Sequence, residues 1–270
     1  MRGQPDRPWL RRTLIAVRPG EAFQWQFNQI TGATVGDDAR LTHDAGAQLW
    51  VRGGRLARGV GYETASRPSR QALARAGAIL RLRRRGRYHI HASGVVDPLG
   101  RAWVLTGLSG SGKSTMAYAL ARRGWTVLGD DSVILEHTGA GVMAHPWREA
   151  LRVSIRLEPE FPELAGEESR VMPGDPRDRL PIALTPARRA PVAAIVCLRQ
   201  GPDDTLTRIR AIEALIEVVR QSAWVLIPDA DARAHLDALR RIVQSVSTYR
   251  LIHSPRQLHA IEDTLMHAIA

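Results

Sequence analysis

Short apolar runs typical of strands and longer segments with a helical period both occur along the chain, and together they predict a mixed α/β protein. Over the first 85 residues the runs are short and are interrupted by Gly and Asp, so TLIAV, FQWQF and AQLWVRG are predicted to be strands. A helical period then extends from about Pro68 to Arg85. We therefore expect a small, mainly β N-terminal module over residues 1–85 and a second domain over residues 86–270.

The densest block of alternating elements lies between residues 88 and 136. YHIHASGVV and AWVLTG are predicted strands joined by the turn DPLGR, and STMAYALARRG predicts a helix that stops at Gly124. TVLGDDSVIL predicts the next strand. Because right-handed crossovers connect neighbouring parallel strands, we expect this strand to lie alongside AWVLTG.

Between residues 137 and 190 the pattern loosens, and Pro and acidic residues become frequent. LEPEFPELAGEESRVMPGDPRDRLP is long for a simple connection, and we interpret it as a mobile region that faces the substrate. Beyond it, the pattern predicts the strand PVAAIVCLRQ with DTLTRIRA as its hairpin partner. Helices AIEALIEVVRQSA and about Ala230 to Gln244, the strand TYRLIHS and a helix after Pro255 follow.

The segment LTGLSGSGKSTMAYALARRG contains Lys113, the only lysine among 38 basic residues. The spacing Gly107-x4-Gly112-Lys113-Ser114 is that of a P-loop, in which backbone N–H groups and a helix start surround a polyphosphate. A lysine passes between loop and phosphate where the wide fork of an arginine does not. The residues predicted to bind nucleotide are Gly107, Ser109, Gly110, Ser111, Gly112, Lys113, Ser114 and Thr115, with the Ser114 hydroxyl on Mg²⁺.

Two adjacent carboxylates, Asp130 and Asp131, follow the P-loop helix at the end of a predicted strand. Phosphoryl transfer to an alcohol needs Mg²⁺ beside the phosphates and a base for the proton. Paired carboxylates favour a bound cation and keep one of the two basic; an ordinary Asp-Asp turn is the alternative. His91 is a further candidate, either touching the transferred phosphate or orienting an aspartate, although His89 occurs on the same predicted strand.

The stretch HASGVVDPLGRAWVLTGLSGSGKSTMAYALARRGWTVLGDDSVIL resembles the catalytic domain of HPr kinase/phosphorylase. It is more similar to the shorter relatives, which include serine kinases encoded with lasso-peptide and similar ribosomal-peptide gene clusters. The His-Ala-Ser-Gly strand, the P-loop and the Gly-Asp-Asp element carry this resemblance, in that order. It implies a P-loop kinase fold related to phosphoenolpyruvate carboxykinase, with ATP and Mg²⁺ as cofactors. By the same resemblance Asp130 is the general base, His91 and Lys113 are catalytic, and Ser114 and Asp131 hold the metal.

The sequence departs from that family downstream, where HPr kinases carry Glu-Ile-Arg-Gly-x-Gly and this chain has HPWREALRVSIRLEP. HPr as the acceptor, the reverse phosphorylase reaction and the hexamer are therefore not transferred to it, and homo-oligomerisation stays open. We expect the acceptor to be a serine hydroxyl of a peptide or protein, for example a ribosomally made precursor peptide. Residues 1–85 either dock that acceptor or only stabilise the catalytic domain.

The formal net charge of +11 favours an anionic partner, and an acidic peptide fits it. Nucleic acid is not expected, because aromatic residues make up only 5% and the arginines are spread out. RLRRRGR (81–87), the one dense run, is interpreted as a solvated helix end.

Cys197 lies in an apolar run and is predicted to be buried, without a disulfide partner. No apolar run reaches the length of a membrane span, so we expect a cytoplasmic protein without a membrane partner.

Two other functions remain open at this stage. Adenylylsulfate kinases also use a TGLSGSGKST loop, followed further downstream by a Leu-Asp-Gly-Asp element, which makes a small-molecule kinase the second hypothesis. A nucleotide-binding regulator without catalysis is the third. The intact set of Lys113, Ser114, Asp130 and Asp131 argues against that third hypothesis.

Overall fold

The computed structural model describes residues 23–27, 29–35, 38–147, 149–167, 170–171, 175, 177–182, 187–202, 204–254 and 264–265. Within them the chain is a mixed α/β protein, as predicted. The strands are β1 (Phe23–Phe27), β2 (Ile30–Val35), β3 (Asp38–His43), β4 (Gln48–Arg52), β5 (Arg55–Arg58), β6 (Arg87–Ile90), β7 (Ala92–Val96), β8 (Ala102–Thr106), β9 (Thr126–Gly129), β10 (Val133–Thr138), β11 (Gly141–Pro146), β12 (Leu151–Ser154), β13 (Arg179–Ile182), β14 (Ala190–Gln200), β15 (Thr205–Arg208) and β16 (Ser247–His253). The α-helices are α1 (Arg67–Arg83), α2 (Lys113–Arg122), α3 (Ala211–Gln221) and α4 (Ala232–Ser245).

Most of the predicted elements are confirmed, and others lie outside the described residues. FQWQF, AQLWVRG, AWVLTG and TYRLIHS correspond to β1, β4, β8 and β16, and the four long helical patterns correspond to α1–α4. The expected strand TLIAV and nearly all of the expected helix after Pro255 fall outside the described residues. No described helix is long and apolar enough to cross a membrane.

The described residues form two compact units, and the first of them is discontinuous in sequence. It takes in the residues up to Arg87 together with Ala223–Leu236, whereas the second takes in Tyr88–Ser222 and the residues from Asp237 onward. The domain boundary expected at residue 85 would place Ala223–Leu236 in the second domain, whereas the structure groups this segment with the first unit. That segment carries Ile227 into a core that it shares with Trp25 and Leu73.

The first unit is an antiparallel sheet in the order β1-β2-β3-β4-β5, against which α1 packs. The α1 helix begins after Ser66, whose hydroxyl accepts a hydrogen bond from the backbone N–H of Ser69, and Pro68 lies in its first turn. Its apolar face is buried on the sheet. Arg83 is also buried and pairs with Asp229, so the prediction that the whole RLRRRGR run is solvated was wrong for this residue. The buried guanidinium of Arg83 is tolerated in the interior because the carboxylate of Asp229 accepts a hydrogen bond from it.

The second unit is organised around a nine-stranded sheet with β14 near its centre. Its main path runs β6-β10-β11-β14-β8-β7-β9, and β16 pairs with β14 and β15. The strand β14 runs parallel to β8 on one side; on the other, its first residues meet β11 and its later residues run parallel to β16. Two predicted pairings were wrong. DTLTRIRA, as β15, pairs with β16 rather than with β14, and β7 lies between β9 and β8.

The position of β7 between β9 and β8 has a simple physical cause. The strands β7 and β8 are joined by a short turn, in which Asp97 accepts hydrogen bonds from the backbone N–H and the guanidinium of Arg101, and so they form an antiparallel hairpin. This hairpin occupies the edge of β8 that the next strand was expected to take. The segment TVLGDDSVIL is also not one strand, because it divides at residues 130–132 into β9 and β10.

Between residues 137 and 190 the described chain is more ordered than the sequence indicates. The strands β12 and β13 pair with each other, and a 3₁₀ turn covers Pro162–Leu164. Phe161, Leu164 and Leu180 are buried in the same core as residues of α2 and β8. Where the structure describes it, this region is therefore part of the core and not a plain loop.

Candidate active site

The candidate site residues converge because several strands end at one edge of the sheet. The strands β8, β14 and β16 are parallel, so their carboxyl ends share that edge. The intervening β7 is antiparallel both to β8 and to β9, which makes β9 run in the same direction as β8. His91 directly precedes β7 and therefore arrives at this edge too. Although β9 is not the neighbour of β8 that the sequence predicted, the residues that follow these two strands still lie at the same edge of the sheet.

Residues 107–112, called the Gly-rich loop below, connect β8 to α2 with a backbone that requires glycine. Gly110 and Gly112 have φ angles of 84° and 91°, and Gly112 immediately precedes the first residue of α2. A Cβ on Gly107 would lie 2.7 Å from the carbonyl oxygen of Leu198, and one on Gly112 would lie 2.7 Å from Cε1 of His253. Both glycines therefore permit approaches that any other residue would block.

Lys113, the first residue of α2, folds back over the loop. Its Nζ donates hydrogen bonds to the carbonyl oxygens of Gly107, at 2.9 Å, and Leu108, at 3.2 Å. The residue is only 6% exposed. Burial lowers the pKa of the ammonium group, while Asp131 and Asp130 oppose that shift. Its charge is thus held inside the loop, where the Gly-rich backbone would face a phosphate.

Asp130 is the centre of a buried hydrogen-bond group. Its Oδ1 accepts from the hydroxyls of Ser93, at 2.6 Å, and Ser114, at 2.9 Å, and its Oδ2 accepts from the backbone N–H of Arg152, at 3.2 Å. The residue is 2% exposed. Burial, and secondarily the charge of Asp131, raise the pKa of this carboxyl group, whereas the three hydrogen bonds oppose the rise.

Asp131 differs from its neighbour in being open to solvent. Its side chain is 38% exposed, its φ is 59°, and its Oδ1 lies 3.8 Å from Nε2 of His91, which is 40% exposed. The Nδ1–H of His91 donates to the backbone carbonyl of Asp131 at 3.0 Å, which leaves Nε2 as the free ring position. Burial and the charge of Lys113 lower the pKa of His91. His89, by contrast, is buried and bonded to Ser132.

The remaining loop residues have distinct surroundings. The Ser109 hydroxyl accepts from the guanidinium of Arg177 at 2.7 Å. The backbone carbonyl of Ser111 accepts from Nε2–H of His253 at 2.8 Å, and the buried Ser111 hydroxyl has no partner among the described residues. Thr115 follows Ser114 in the first turn of α2 and is half-buried.

A cavity of about 320 Å³ borders the Gly-rich loop. Residues 107–111, the end of β14 and the α3 side chains Glu217 and Arg220 form its walls. Glu217 is paired with both Arg199 and Arg220, so these three side chains leave one net positive charge in the wall. Cys197 also lines the cavity, and burial raises its pKa to about 12, which keeps it a protonated thiol.

The donor set around the loop fits a hard cation that is shared with phosphate oxygens. Among the described residues there is no cluster of three or more His, Cys, Asp or Glu side chains arranged as a metal cage. Magnesium ordinarily needs only one or two carboxylates, together with substrate phosphates and water. The hydroxyl of Ser114 and the carboxylate of Asp131 would satisfy that need.

Four residues of the site were not among those predicted from sequence. Ser93 lies two positions after His91 in the sequence HASG, so its place in that element could have identified it as a site residue. The backbone N–H of Arg152 carries no side-chain signal. Arg177 is one of many arginines, and His253 is part of an ordinary strand pattern. The latter two are brought to the site only by tertiary folding.

Comparison with known proteins gives a structural neighbour and no relative by sequence. No protein-family model matches the chain, and no curated protein does. Among solved structures, that of the HPr(Ser) kinase/phosphatase from Coxiella burnetii matches 67% of this chain and 94% of its own, at 12% identity and a TM-score of 0.34. The function proposed below therefore rests on the geometry of the site.

Proposed function

We propose that the protein is an ATP-dependent kinase that transfers the γ-phosphate to a serine hydroxyl of a peptide or protein. One observation carries this proposal: a single lysine is folded into a glycine-lined loop at a helix start, and the next residue, Ser114, is hydrogen-bonded to Asp130. A glycine-lined loop, a hydroxyl and two carboxylates thus lie at one sheet edge, and these are the groups that phosphoryl transfer uses.

In the proposed reaction, the Gly-rich loop and Lys113 hold the β and γ phosphates, and Ser114 and Asp131 would hold Mg²⁺. When bound, Mg²⁺ supplies charge neutralisation at those phosphates. The serine oxygen of the acceptor forms a bond to the γ phosphorus, and the bond from that phosphorus to the oxygen bridging to the β phosphate breaks. The hydroxyl proton passes to Asp130, and ADP leaves.

The surroundings of the two aspartates support this division of roles. The raised pKa of Asp130 suits a proton acceptor, because a carboxyl group of ordinary pKa is a weak base. Asp131 is exposed beside the free Nε2 of His91, so it is open to a cation and to the transferred phosphate. Two features favour the reverse division, namely the hydrogen bond from Ser114 to Asp130 and the burial of Asp130, which is only 2% exposed. The aspartate variants in the Discussion distinguish the two.

A serine on an acidic peptide is the acceptor that we propose. The net charge of +11 gives the protein a field that attracts anionic partners, and that attraction weakens with salt as the Debye length falls to about 10 Å at about 0.1 M. A peptide also needs an extended docking surface, for which the N-terminal strands are available. Deleting those strands would not test docking cleanly, because it would strip Ile227 of its core neighbours.

The experiment therefore uses the full chain. The protein is incubated with Mg²⁺ and γ-labelled ATP in the presence of acidic serine-containing peptides, the same peptides with Ser→Ala changes, adenylylsulfate, and small alcohols. We expect label on the serine peptides alone, located by mass spectrometry, and less transfer at higher salt. Labelling of the small acceptors with equal efficiency would indicate a small-molecule kinase, and binding of ATP without transfer to any acceptor would indicate a regulator.

A further inference from the structure

Arg177 reaches the Gly-rich loop from a distant part of the chain. It lies just before β13, and its Nη2 donates a hydrogen bond to the hydroxyl of Ser109 over 2.7 Å, across 68 positions of sequence. It is also close enough to Lys113 for its charge to lower the pKa of the lysine. Two positive charges thus lie at the same loop, and although Asp131 and Asp130 offset part of their repulsion, an anion bound between them would offset more.

The guanidinium of Arg177 has no carboxylate at ion-pair distance among the residues that the structure describes. Its neighbours differ in this respect: Arg156 is paired with Asp178, and Arg179 with Asp175. Arg170, in the preceding stretch, is paired with Glu167. A hydroxyl is a weak partner for an arginine compared with a carboxylate or phosphate, so this contact is easily exchanged for an anionic one.

The backbone that presents Arg177 is held in place by several hydrogen bonds. Its N–H donates to Oδ1 of Asp175 at 2.9 Å, and its carbonyl accepts from the hydroxyl of Ser154 at 2.7 Å. The carbonyl of Asp178 accepts from the backbone N–H of Ile155 at 3.0 Å. The carbonyl side of the residue is therefore tied to the end of β12 and the following turn, and its N–H is held locally by Asp175.

We propose that Arg177 is a second phosphate-binding cation of this site, which exchanges the Ser109 hydroxyl for the terminal phosphate of a nucleoside triphosphate. This inference rests on the proposed kinase function and deepens it. Lys113 approaches the phosphates from within the loop, and Arg177 approaches from the open side, so the two cations bracket the terminal group. The planar guanidinium binds two phosphate oxygens at once and stabilises the charge spread over them during transfer.

The test compares Arg177→Ala and Arg177→Lys with the control Arg170→Ala, an exposed and ion-paired arginine of the same region. Binding of a non-hydrolysable ATP analogue and of ADP is measured with Mg²⁺ present, alongside phosphate transfer. For Arg177→Ala we expect analogue affinity to fall about tenfold or more with little change for ADP, and transfer to fall by about 10³-fold. Arg177→Lys should be intermediate, because it keeps the charge and loses the fork. Free guanidinium ion should restore part of the transfer by Arg177→Ala.

The outcomes separate the two proposals. If the wild type binds and turns over ATP while Arg177→Ala behaves like Arg170→Ala in both measurements, the role of Arg177 is refuted and the kinase proposal stands. Equal weakening of analogue and ADP binding, without guanidinium rescue, would also refute it, since a structural role produces that pattern. A wild type that binds neither nucleotide would overturn both proposals.

Discussion

The hydroxyl of Ser114 lies 2.9 Å from Oδ1 of Asp130, and this bond joins the first turn of α2 to the segment after β9. The donor is the hydroxyl expected to bind the metal, and the acceptor is the carboxylate expected to take the proton. The two proposed roles are thus linked by one hydrogen bond. The Ser114 oxygen has lone pairs left to bind a cation while its hydrogen is donated to Asp130, so the two contacts are compatible.

The first prediction separates the roles of the two aspartates. Asp130→Asn should bind Mg-ATP and transfer phosphate poorly, because it keeps the shape of the side chain and removes the base. Asp131→Asn should instead weaken Mg²⁺ binding, because it removes the exposed carboxylate. Calorimetry with Mg-ATP and transfer rates measure the two effects. Loss of Mg-ATP binding by Asp130→Asn, with binding retained by Asp131→Asn, would assign the metal to Asp130.

The second prediction concerns the single lysine. Lys113→Ala and Lys113→Arg should both lose phosphate transfer, by about 10²-fold or more, while circular dichroism shows that the fold is kept. The arginine variant is the sharper of the two, because it keeps the charge and changes only shape. Its wide fork does not fit where Nζ sits between the carbonyls of Gly107 and Leu108. Full activity of Lys113→Arg would contradict the role assigned to this residue.

A third prediction tests the contact between the Gly-rich loop and β16. Gly112→Ala should destabilise the protein for two reasons. The φ of 91° costs an L-residue about 1–2 kcal/mol, and the new Cβ would meet the His253 ring at 2.7 Å.

Because only the second term depends on His253, the double variant Gly112→Ala/His253→Ala should be less destabilised than the sum of the single variants. Urea unfolding of the four proteins measures the coupling. Strictly additive free energies would show that the ring does not crowd Gly112.

The fourth prediction concerns acid stability of the first unit. His235 is buried, and its Nδ1 accepts from Nε of Arg83 at 3.1 Å, so the ring must stay neutral. Burial, and next the charge of Arg83, lower the pKa of His235 from 6.5 to about 3. Below pH 6.5 the unfolded chain takes up a proton that the folded chain refuses. Stability should therefore fall as the pH drops from 6.5 toward 3, by about 1.4 kcal/mol per pH unit from this residue.

His235→Gln keeps an acceptor for Arg83 and does not titrate, so its stability should depend less on pH in this window. Urea unfolding at several pH values between 4 and 7, roughly the span in which the two states differ, gives the slopes. The control is His137→Gln, at a partly exposed histidine. Equal slopes for wild type and His235→Gln would contradict the assignment.

Local elements of this protein were predictable because nearby residues determine them. The glycine spacing that ends β8 and begins α2 needs left-handed backbone at Gly110 and Gly112, and the helix stops at Gly124 with a φ of 92°. The helical patterns of α3 and α4 were likewise visible as repeating apolar residues. In these segments the backbone preferences of single residues and the period of the apolar residues are sufficient to predict the secondary structure.

The remainder was not predictable because it depends on which strands meet. Nothing in the residues of β9 indicates that β7 separates it from β8, since all three are buried apolar strands. The partners of Asp130 come from three different segments, and Arg177 and His253 arrive from far along the chain. A serine, an arginine or a histidine in such segments looks the same in sequence whether or not it faces the site.

The placement of Ile227 and its neighbours in the first unit also constrains the order of events during synthesis. The core of this unit includes a side chain from residues 223–236, although its sheet is complete by Arg58. Domains generally fold from the N-terminus as the chain emerges. Here the core of the N-terminal unit is complete only when residues 223–236 have left the ribosome. The first residues to be made therefore belong to a unit whose core is completed late in synthesis.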